Sequence, residues 1–340
     1  MPGESVVLAA PDKFRSSASA REVAHAMAAG ARRAGRPAVE LPLADGGEGL
    51  LDVLGGEVRE SVVTGPLGEP VRARWAVLAD PADRGEPVAV IEMARASGLE
   101  LAGGAAANDP EAATTAGTGE LVAAAVAAGL RRIIVGCGGS ATTDGGSGAL
   151  EALRGVDLRG VDLVVACDVT TGFLDAAKVF SPQKGADAAA VARLTARLAA
   201  LAADYQRDFG VDVARLERGG AAGGLAGGLA ARGGRLVGGF DVVAGLLGLD
   251  DQLARADLVV TGEGRLDPTS FEGKVVGGVL ARAAGRVRAL VVAGDVVPEA
   301  RALLPAGVRA ISLVERAGRQ AALADTCRLV EQVVAEQCAR

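Results

Sequence analysis

Hydrophobic and polar positions follow different patterns at the ends and in the middle of the chain. Near both ends, short apolar runs such as residues 5–10, 258–261 and 289–293 alternate with stretches of helical spacing, which predicts βαβ units. Residues 58–92 instead alternate between apolar and polar, as half-buried antiparallel strands do. The pattern predicts an α/β protein in which one open α/β domain is divided in the sequence and a mixed α/β domain is inserted into it.

The change of pattern also places the domain boundaries. We assign residues 1–62 and 240–340 to the divided domain and residues 63–239 to the inserted domain. Ser19 and Glu22 have the spacing of a capping box at the start of a helix in the divided domain. Because polar loops follow the strands of both domains, we expect these loops to face a cleft between the domains.

Composition and charge exclude several classes of protein. The chain has 340 residues, more than the roughly 250–300 at which a single hydrophobic core stops growing. A formal net charge of −6 argues against nucleic acid as a partner, because such binding needs clustered basic residues. The chain lacks an apolar run of the roughly 18 residues that span a membrane, and its first 15 residues lack a signal-peptide pattern. We therefore expect a cytoplasmic protein without a membrane partner.

A glycine-rich run after a predicted strand is the most informative loop. Residues 138–146 read GGSATTDGG and precede a predicted helix. Glycines let backbone amides approach an anion closely, and the following helix presents its positive N-terminal end. Ser140 and Thr143 would add hydroxyl donors, and Asp144 would add an acceptor or a metal ligand.

A second loop, nearer the end of the chain, also combines glycines with polar side chains between a predicted strand and a predicted helix. Residues 261–267 read TGEGRLD and come between a strand and a helix. Glu263 and Arg265 in this loop would bind a ligand or would pair with each other. A further glycine-rich run, residues 219–228, is either a linker or a segment suited to close packing against backbone or a nucleotide base.

Carboxylates stand at the ends of other predicted strands. Residues 12–15 read DKFR after the first strand, and Asp45 lies in ADGGEG after the second. Asp168 directly follows an apolar strand, where it would serve as a general base, as a Mg²⁺ ligand or only as a turn cap. The single histidine, His25, is expected on the solvated side of a helix, which argues against histidine-based catalysis.

Lysine is rare, since only four of the 36 Lys and Arg residues are Lys: Lys13, Lys178, Lys184 and Lys274. An ammonium group is a compact charge suited to phosphate oxygens, although Lys184 would also be explained as a loop side chain that extends to solvent. Together with the glycine-rich loops and carboxylates, the lysines favour phosphoryl transfer from Mg-ATP to a small hydroxylated anion.

Several runs of the chain occur in an order shared with one known family. These runs are residues 9–20, 44–49, 64–69, 91–99, 115–120, 138–146, 166–169, 180–186, 220–224 and 261–274. In this the chain resembles the bacterial type I glycerate kinases. The resemblance implies ATP-dependent phosphorylation of D-glycerate, with 2-phosphoglycerate as the product. It also implies a divided flavodoxin-like or Rossmann-like domain, an inserted α/β domain and an active site in the cleft between them.

The resemblance and the loops together suggest roles for individual residues. Asp168 or Asp45 would be the catalytic base, and Lys13 would neutralise developing charge. The predicted substrate-binding residues are Asp12, Arg15, Ser17, Glu48, Ser140, Thr143, Asp144 and Lys184. The predicted nucleotide-binding residues are Gly138, Gly139, Gly223, Gly224, Glu263, Arg265 and Lys274. The predicted Mg²⁺ ligands are Asp144 and Glu263.

Other functions remain open at this point. The same loops would suit a kinase that forms 3-phosphoglycerate, a kinase for another small hydroxy acid, or a phosphatase. A non-catalytic sensor of sugar acids would use them for binding alone. We expect the protein to be a monomer or a homodimer.

Overall fold

The structure is a computed structural model that describes residues 6–47, 49–79 and 86–339. Its strands are β1 (Val7–Ala9), β2 (Ala38–Glu40), β3 (Glu57–Thr64), β4 (Pro70–Leu78), β5 (Val88–Glu92), β6 (Arg132–Cys137), β7 (Asp162–Cys167), β8 (Arg235–Gly238), β9 (Leu258–Thr261), β10 (Arg265–Leu266), β11 (Arg288–Ala293), β12 (Asp295–Val296) and β13 (Arg309–Ser312). Its α-helices are α1 (Ala20–Arg33), α2 (Leu50–Leu54), α3 (Ala94–Ser97), α4 (Ala116–Ala127), α5 (Ser147–Ala152), α6 (Ala176–Phe180), α7 (Ala188–Phe209), α8 (Leu225–Ala231), α9 (Gly239–Leu246), α10 (Leu249–Leu253), α11 (Val275–Ala283), α12 (Pro298–Ala302), α13 (Leu313–Ala317), α14 (Arg319–Ala324) and α15 (Thr326–Cys338).

The chain divides into two compact units. Unit 1 consists of Met1–Asp45 and Phe240–Arg340, and unit 2 consists of Gly46–Gly239. Within the described residues, none of the helices is both long enough and apolar enough to cross a membrane.

Unit 1 is built on a five-stranded parallel sheet with the order β13-β11-β9-β1-β2. Numbered within the unit, this is the order 2-1-3-4-5 of flavodoxin-like folds. The order reverses between β1 and β9. In such sheets ligands bind outside the carboxyl ends of the strands at this switch point, so the fold itself indicates where a site should lie.

Helix α1 in unit 1 begins at the predicted capping box. The Ser19 side chain accepts a hydrogen bond from the Glu22 backbone amide at 3.3 Å, and the Glu22 carboxylate accepts one from the Ser19 amide at 2.8 Å. Val23 and Met27 of this helix are fully buried in the core beneath the sheet, whereas His25 is exposed, as predicted. Strand β2 of this unit ends at Glu40, and an irregular segment leads from it to Asp45.

Unit 2 is built on a six-stranded mixed sheet with the order β3-β4-β5-β6-β7-β8. The first three strands are antiparallel and the others are parallel, which agrees with the change of pattern in the sequence. Strand β3 pairs with β4 along its whole length, from Glu57 opposite Val77 to Thr64 opposite Pro70. For this reason residues 46–62, which we had assigned to the divided domain, fall in unit 2.

The glycine-rich run at residues 219–228 packs closely in unit 2 and is not a linker. It forms a short buried turn and the start of α8, in which every residue is buried. A Cβ atom on Gly223 would lie 2.0 Å from the Thr142 carbonyl oxygen. Glycine is therefore required here for the approach of two backbone segments.

Candidate active site

A cavity of about 550 Å³ lies in unit 1 beyond the carboxyl ends of its strands. It is lined by Asp12, Lys13, Phe14, Arg15, Ser16, Ser17, Asp45, Glu263, Gly264, Arg265, Asp267, Lys274, Gly294, Asp295, Val314, Arg319, Ala322 and Leu323. Most of its charged residues come from the loops after β1 and β9, the two strands at the switch point. The unit therefore brings together eight residues that we singled out in the sequence: Asp12, Lys13, Arg15, Ser17, Asp45, Glu263, Arg265 and Lys274.

Two glycines allow the loops around this cavity to approach one another. A Cβ atom on Gly264 would lie 3.0 Å from the Arg15 amide nitrogen, and one on Gly294 would lie 2.4 Å from the Gly264 carbonyl oxygen. The short strands β10 and β12 pair beside these glycines and join the loops that follow β9 and β11. The cavity wall is thus a stack of three loops with little room for larger residues.

Two of the five carboxylates that line this cavity, Asp12 and Glu263, have raised pKa values. Asp12 is buried, and its burial together with the nearby charge of Asp45 raises its pKa to about 7. Burial likewise raises the pKa of Glu263 to about 7. Glu263 Oε1 is buried and has no hydrogen-bond partner among the described residues, so this oxygen does not form the ion pair with Arg265 that the sequence left open. A cation beside these buried carboxylates would favour their charged forms.

Cationic side chains line the same cavity. Lys274 is the N-cap residue of α11, and its Nζ donates to Thr269 Oγ1 at 2.9 Å. Asp267 caps the short turn before α11, where its carboxylate accepts from the Thr269 amide at 2.9 Å. These contacts fix the loop after β9, from which Lys274 and Arg265 reach the cavity.

A smaller cavity of about 300 Å³ lies in unit 2. It is lined by Leu99, Cys137, Gly138, Gly139, Ser140, Asp168, Val169, Phe180, Gln183, Lys184 and Ala222. The loops after β6 and β7, together with the short turn after α6, bring together five residues that the sequence singled out: Gly138, Gly139, Ser140, Asp168 and Lys184.

Lys184 is the most unusual group in the cavity of unit 2. Its side chain is 3% exposed, and its Nζ donates to the Thr142 carbonyl oxygen at 2.6 Å. Burial lowers the pKa of Lys184 to about 7, although the charge of Asp144 acts in the opposite direction. The side chain therefore does not extend to solvent, and its charge depends on what else enters the cavity.

Asn108 holds the Lys184 segment in place and has no motif that marks it in the sequence. Its Nδ2 donates to the Lys184 carbonyl oxygen at 2.8 Å and to the Ala141 carbonyl oxygen at 3.0 Å. One amide side chain thus ties the segment of Lys184 to the glycine-rich run after β6.

The thiol in this cavity is not a reactive nucleophile. Cys137 lies opposite Cys167 in the register of β6 and β7, and both are buried. A hydrogen bond with Cys167 and burial raise the pKa of Cys137 well above its usual value. A thiol with a raised pKa carries little thiolate, so nucleophilic catalysis at Cys137 is disfavoured.

Asp144 has a structural role where we predicted a substrate or Mg²⁺ ligand. Its Oδ2 accepts from the Thr115 amide at 2.9 Å, the Thr115 hydroxyl at 2.8 Å and the Gly148 amide at 3.2 Å, and its Oδ1 accepts from the Gly146 amide at 3.0 Å. Both oxygens are turned inward to the start of α5, and Asp144 does not line the cavity of unit 2.

Other predicted residues also lie away from the cavity of unit 2. Thr143 is fully buried, and Gly223 and Gly224 are packed against backbone and side chains of their own unit, so none of the three lines the cavity. Glu48 lies outside the described residues.

Four residues of the unit 1 cavity come from two helices that carry no motif in the sequence: Val314, Arg319, Ala322 and Leu323. They belong to α13 and α14, which follow the edge strand β13. Apolar residues at helical spacing near a chain end are typical of ordinary core packing, so their place at the cavity became visible only in the structure.

Comparisons with known proteins point in one direction. A model of the glycerate kinase family matches residues 7–158 and 154–340. The chain is 38% identical to a glycerate 2-kinase of Escherichia coli strain K12, and the match covers 80% of each chain. It is also 38% identical to a glycerate kinase of Bacillus subtilis strain 168, and that match covers 90% of this chain and 89% of the relative. A solved structure from Salmonella typhimurium LT2, described as a candidate glycerate kinase 2, superposes with a TM-score of 0.81 at 35% identity and covers 99% of this chain and 98% of its own.

Proposed function

The chain belongs to the glycerate kinase family, and on that premise we propose that it phosphorylates D-glycerate at the expense of ATP to give 2-phosphoglycerate. The observation that supports this best is the content of the two cavities. Runs that carry the resemblance contribute to the lining of both, and each combines at least one cation with a carboxylate. A phosphoryl transfer between two anions needs such groups, because catalysis rests on positioning and on neutralising charge.

The cavity of unit 2 suits the acceptor. At about 300 Å³ it lies at the small end of the roughly 300–1,000 Å³ range of ligand pockets, which fits a three-carbon acid. The Lys184 ammonium group and Ser140 would bind the carboxylate of glycerate. The backbone amides of Gly138 and Gly139, which we predicted from the sequence to bind the nucleotide, line the same cavity and would bind the acceptor instead. An anion beside Lys184 favours its protonated form, so binding would restore the charge that burial opposes.

Asp168 is the base that we assign to the acceptor hydroxyl. It lines the same cavity as Ser140 and Lys184. As the hydroxyl oxygen forms its bond to the γ-phosphorus, the bond from that phosphorus to the ADP oxygen breaks, and Asp168 takes the hydroxyl proton. Asp45 remains the second candidate, but it lines the cavity of unit 1 together with Asp12 and Glu263, where a role toward a cation fits better.

The carboxylates of unit 1 fit a magnesium ion. The described residues contain no group of three or more His, Cys, Asp or Glu that would hold a metal by themselves. Mg²⁺ in kinases, however, is bound by one or two carboxylates together with phosphate oxygens and water. Asp12, Asp45 and Glu263, whose Oε1 is buried without a partner, supply such oxygens, and the bound ion would neutralise the phosphate charge.

An ADP-release assay tests the proposal. We expect ADP release with D-glycerate, and none above the background with L-glycerate or glycerol. Phosphorus NMR of the product separates 2-phosphoglycerate from 3-phosphoglycerate. ADP release no faster with D-glycerate than without it would contradict the proposal. Release of phosphate from a phosphate ester without ATP would indicate a phosphatase, and binding of glycerate without turnover would indicate a sensor.

A matched pair of variants tests the role of Asp168. Asp168→Asn should lower kcat by about 10²–10⁴ while D-glycerate still binds, because only proton transfer is lost. Asp175→Asn, at an exposed position outside the cavity lining, should keep the kcat of the unmodified enzyme. Equal kcat values for the two variants would exclude Asp168 as the base.

The remaining expectations from the sequence stay predictions. These are the cleft between two domains, the cytoplasmic location, and the monomeric or homodimeric state.

A further inference from the structure

One side of the unit 1 cavity is apolar, in contrast to the charged loops after β1 and β9. Val314, Ala322 and Leu323 line this side, with Arg319 next to them. Leu313 and Ala322 are buried in the core of the unit and fix α13 and α14, whereas Leu323 is 49% exposed. A hydrogen bond from the Val314 amide to the Gly294 carbonyl oxygen, 2.9 Å long, ties α13 to the loop after β11. The apolar side is therefore a fixed surface that leaves a large side chain available for contact.

The apolar and charged sides lie at different positions along the sheet. Helices α13 and α14 follow β13 at the edge, while the charged loops follow β9 and β1 in the centre. Neighbouring strands are about 4.8 Å apart, so β13 is about 10 Å from β9 and about 14 Å from β1. A nucleoside triphosphate extends over a comparable length from its base to its terminal phosphate.

We propose that this cavity binds the nucleotide across the ends of the strands, with the purine base at β13 and the triphosphate over β9 and β1. The inference rests on the proposed function, since it takes ATP as the phosphoryl donor. The faces of a purine are apolar and pack well against Val314 and Leu323, and the planar guanidinium of Arg319 stacks on such a ring. Lys274, Arg265 and Lys13 then meet the phosphates.

The orientation also agrees with the positions of Asp12 and Asp45. Asp12 and Asp45 follow β1 and β2, at the end of the sheet farthest from β13. In this orientation they lie beside the terminal phosphate, where a cation is needed, and not beside the base. The reverse orientation would place the polyanion at an apolar surface and the base among buried carboxylates.

Binding measurements on the full chain test the orientation without turnover. ADP and inorganic tripolyphosphate, which has no base, are titrated by calorimetry into the unmodified protein and into Leu323→Ala. Removal of the leucine contact should raise the Kd for ADP about fivefold and leave the Kd for tripolyphosphate unchanged. The matched control is Leu303→Ala, at a leucine that is 50% exposed but does not line the cavity, and it should bind both ligands as the unmodified protein does. Lys274→Ala should weaken the binding of both.

The outcomes separate the orientation from the function. An unchanged ADP affinity in Leu323→Ala, or an equal loss for ADP and tripolyphosphate, overturns the orientation while ATP-dependent turnover of D-glycerate still supports the function. If the unmodified protein binds neither ADP nor ATP, both proposals fail. Circular dichroism of the two leucine variants shows whether they are folded, which is expected because both leucines are half exposed.

Discussion

Replacing Lys184 with methionine removes a buried amine and keeps most of its aliphatic chain. Burial lowers the pKa of Lys184 from 10.5 to about 7, so the folded protein binds fewer protons than the unfolded chain between these two pH values. The free energy of unfolding of the unmodified protein must therefore rise with pH in this window. Below pH 7 the amine is protonated in both states, and this contribution no longer changes with pH.

The size of the effect follows from the shift. Relative to the unfolded chain, the folded protein binds about half a proton less at pH 7 and nearly one proton less above pH 8. A difference of one proton changes the free energy of unfolding by about 1.4 kcal/mol per pH unit. Between pH 7 and pH 9 the unmodified protein should gain about 2 kcal/mol relative to Lys184→Met. The variant also leaves the Thr142 carbonyl oxygen without its donor, but that cost does not depend on pH and cancels in the comparison.

The single tryptophan makes the measurement specific to unit 2. Trp75 lies in β4 and is buried, so its fluorescence during urea unfolding reports on the unit that contains Lys184. Lys178→Met, at an exposed lysine of α6, is the control and should keep the pH dependence of the unmodified protein. A difference between the unmodified protein and Lys184→Met that stays constant from pH 7 to pH 9 would show that the buried amine remains charged and would refute the reasoning.

Three further substitutions test other parts of the structure. Asp144→Asn should lower the free energy of unfolding of unit 2 by about 3 kcal/mol, because an amide nitrogen would face backbone donors; an unchanged urea midpoint would contradict this. Ser19→Ala should cost about 1 kcal/mol through loss of the helix cap, seen as a lower thermal midpoint by circular dichroism, and a midpoint equal to that of the unmodified protein would count against the cap. Gly294→Ala places a methyl group 2.4 Å from the Gly264 carbonyl oxygen, so it should displace the loops and weaken ADP binding in calorimetry by at least about tenfold. An unchanged affinity for ADP would contradict this, because it would show that the loops accommodate the methyl group.

Local signals in the sequence predicted much of the fold. The capping box at Ser19, the alternation of β3 and β4, and the polar loops after the strands depend on neighbouring residues, and the structure has all of them. We predicted that the first segment of the divided domain ends at residue 62, whereas the first segment of unit 1 ends at Asp45. Strand β3 belongs to unit 2 because it pairs with β4, which comes later in the chain.

The candidate site was harder to predict because composition does not reveal the direction of a side chain. Asp144 and Lys184 both belong to runs that suggested ligand binding, yet Asp144 is turned to backbone amides while Lys184 lines a cavity. Leu323 and Arg319 had no signal, since only the strand order brings the helices after β13 to the same cavity as the loop after β1.

The division of unit 1 has a consequence for how the chain is made. Strand β1 pairs on one side with β2, but its other neighbour, β9, begins only at Leu258. At a ribosomal rate of about 5–20 residues per second, the growing chain holds β1 with an open edge for roughly 12–50 s. All of unit 2 is synthesised in that interval, so it can finish folding while the first segment of unit 1 still waits for its partner. The nascent N-terminal segment therefore presents an unpaired strand edge, a template for association with other chains, throughout that interval.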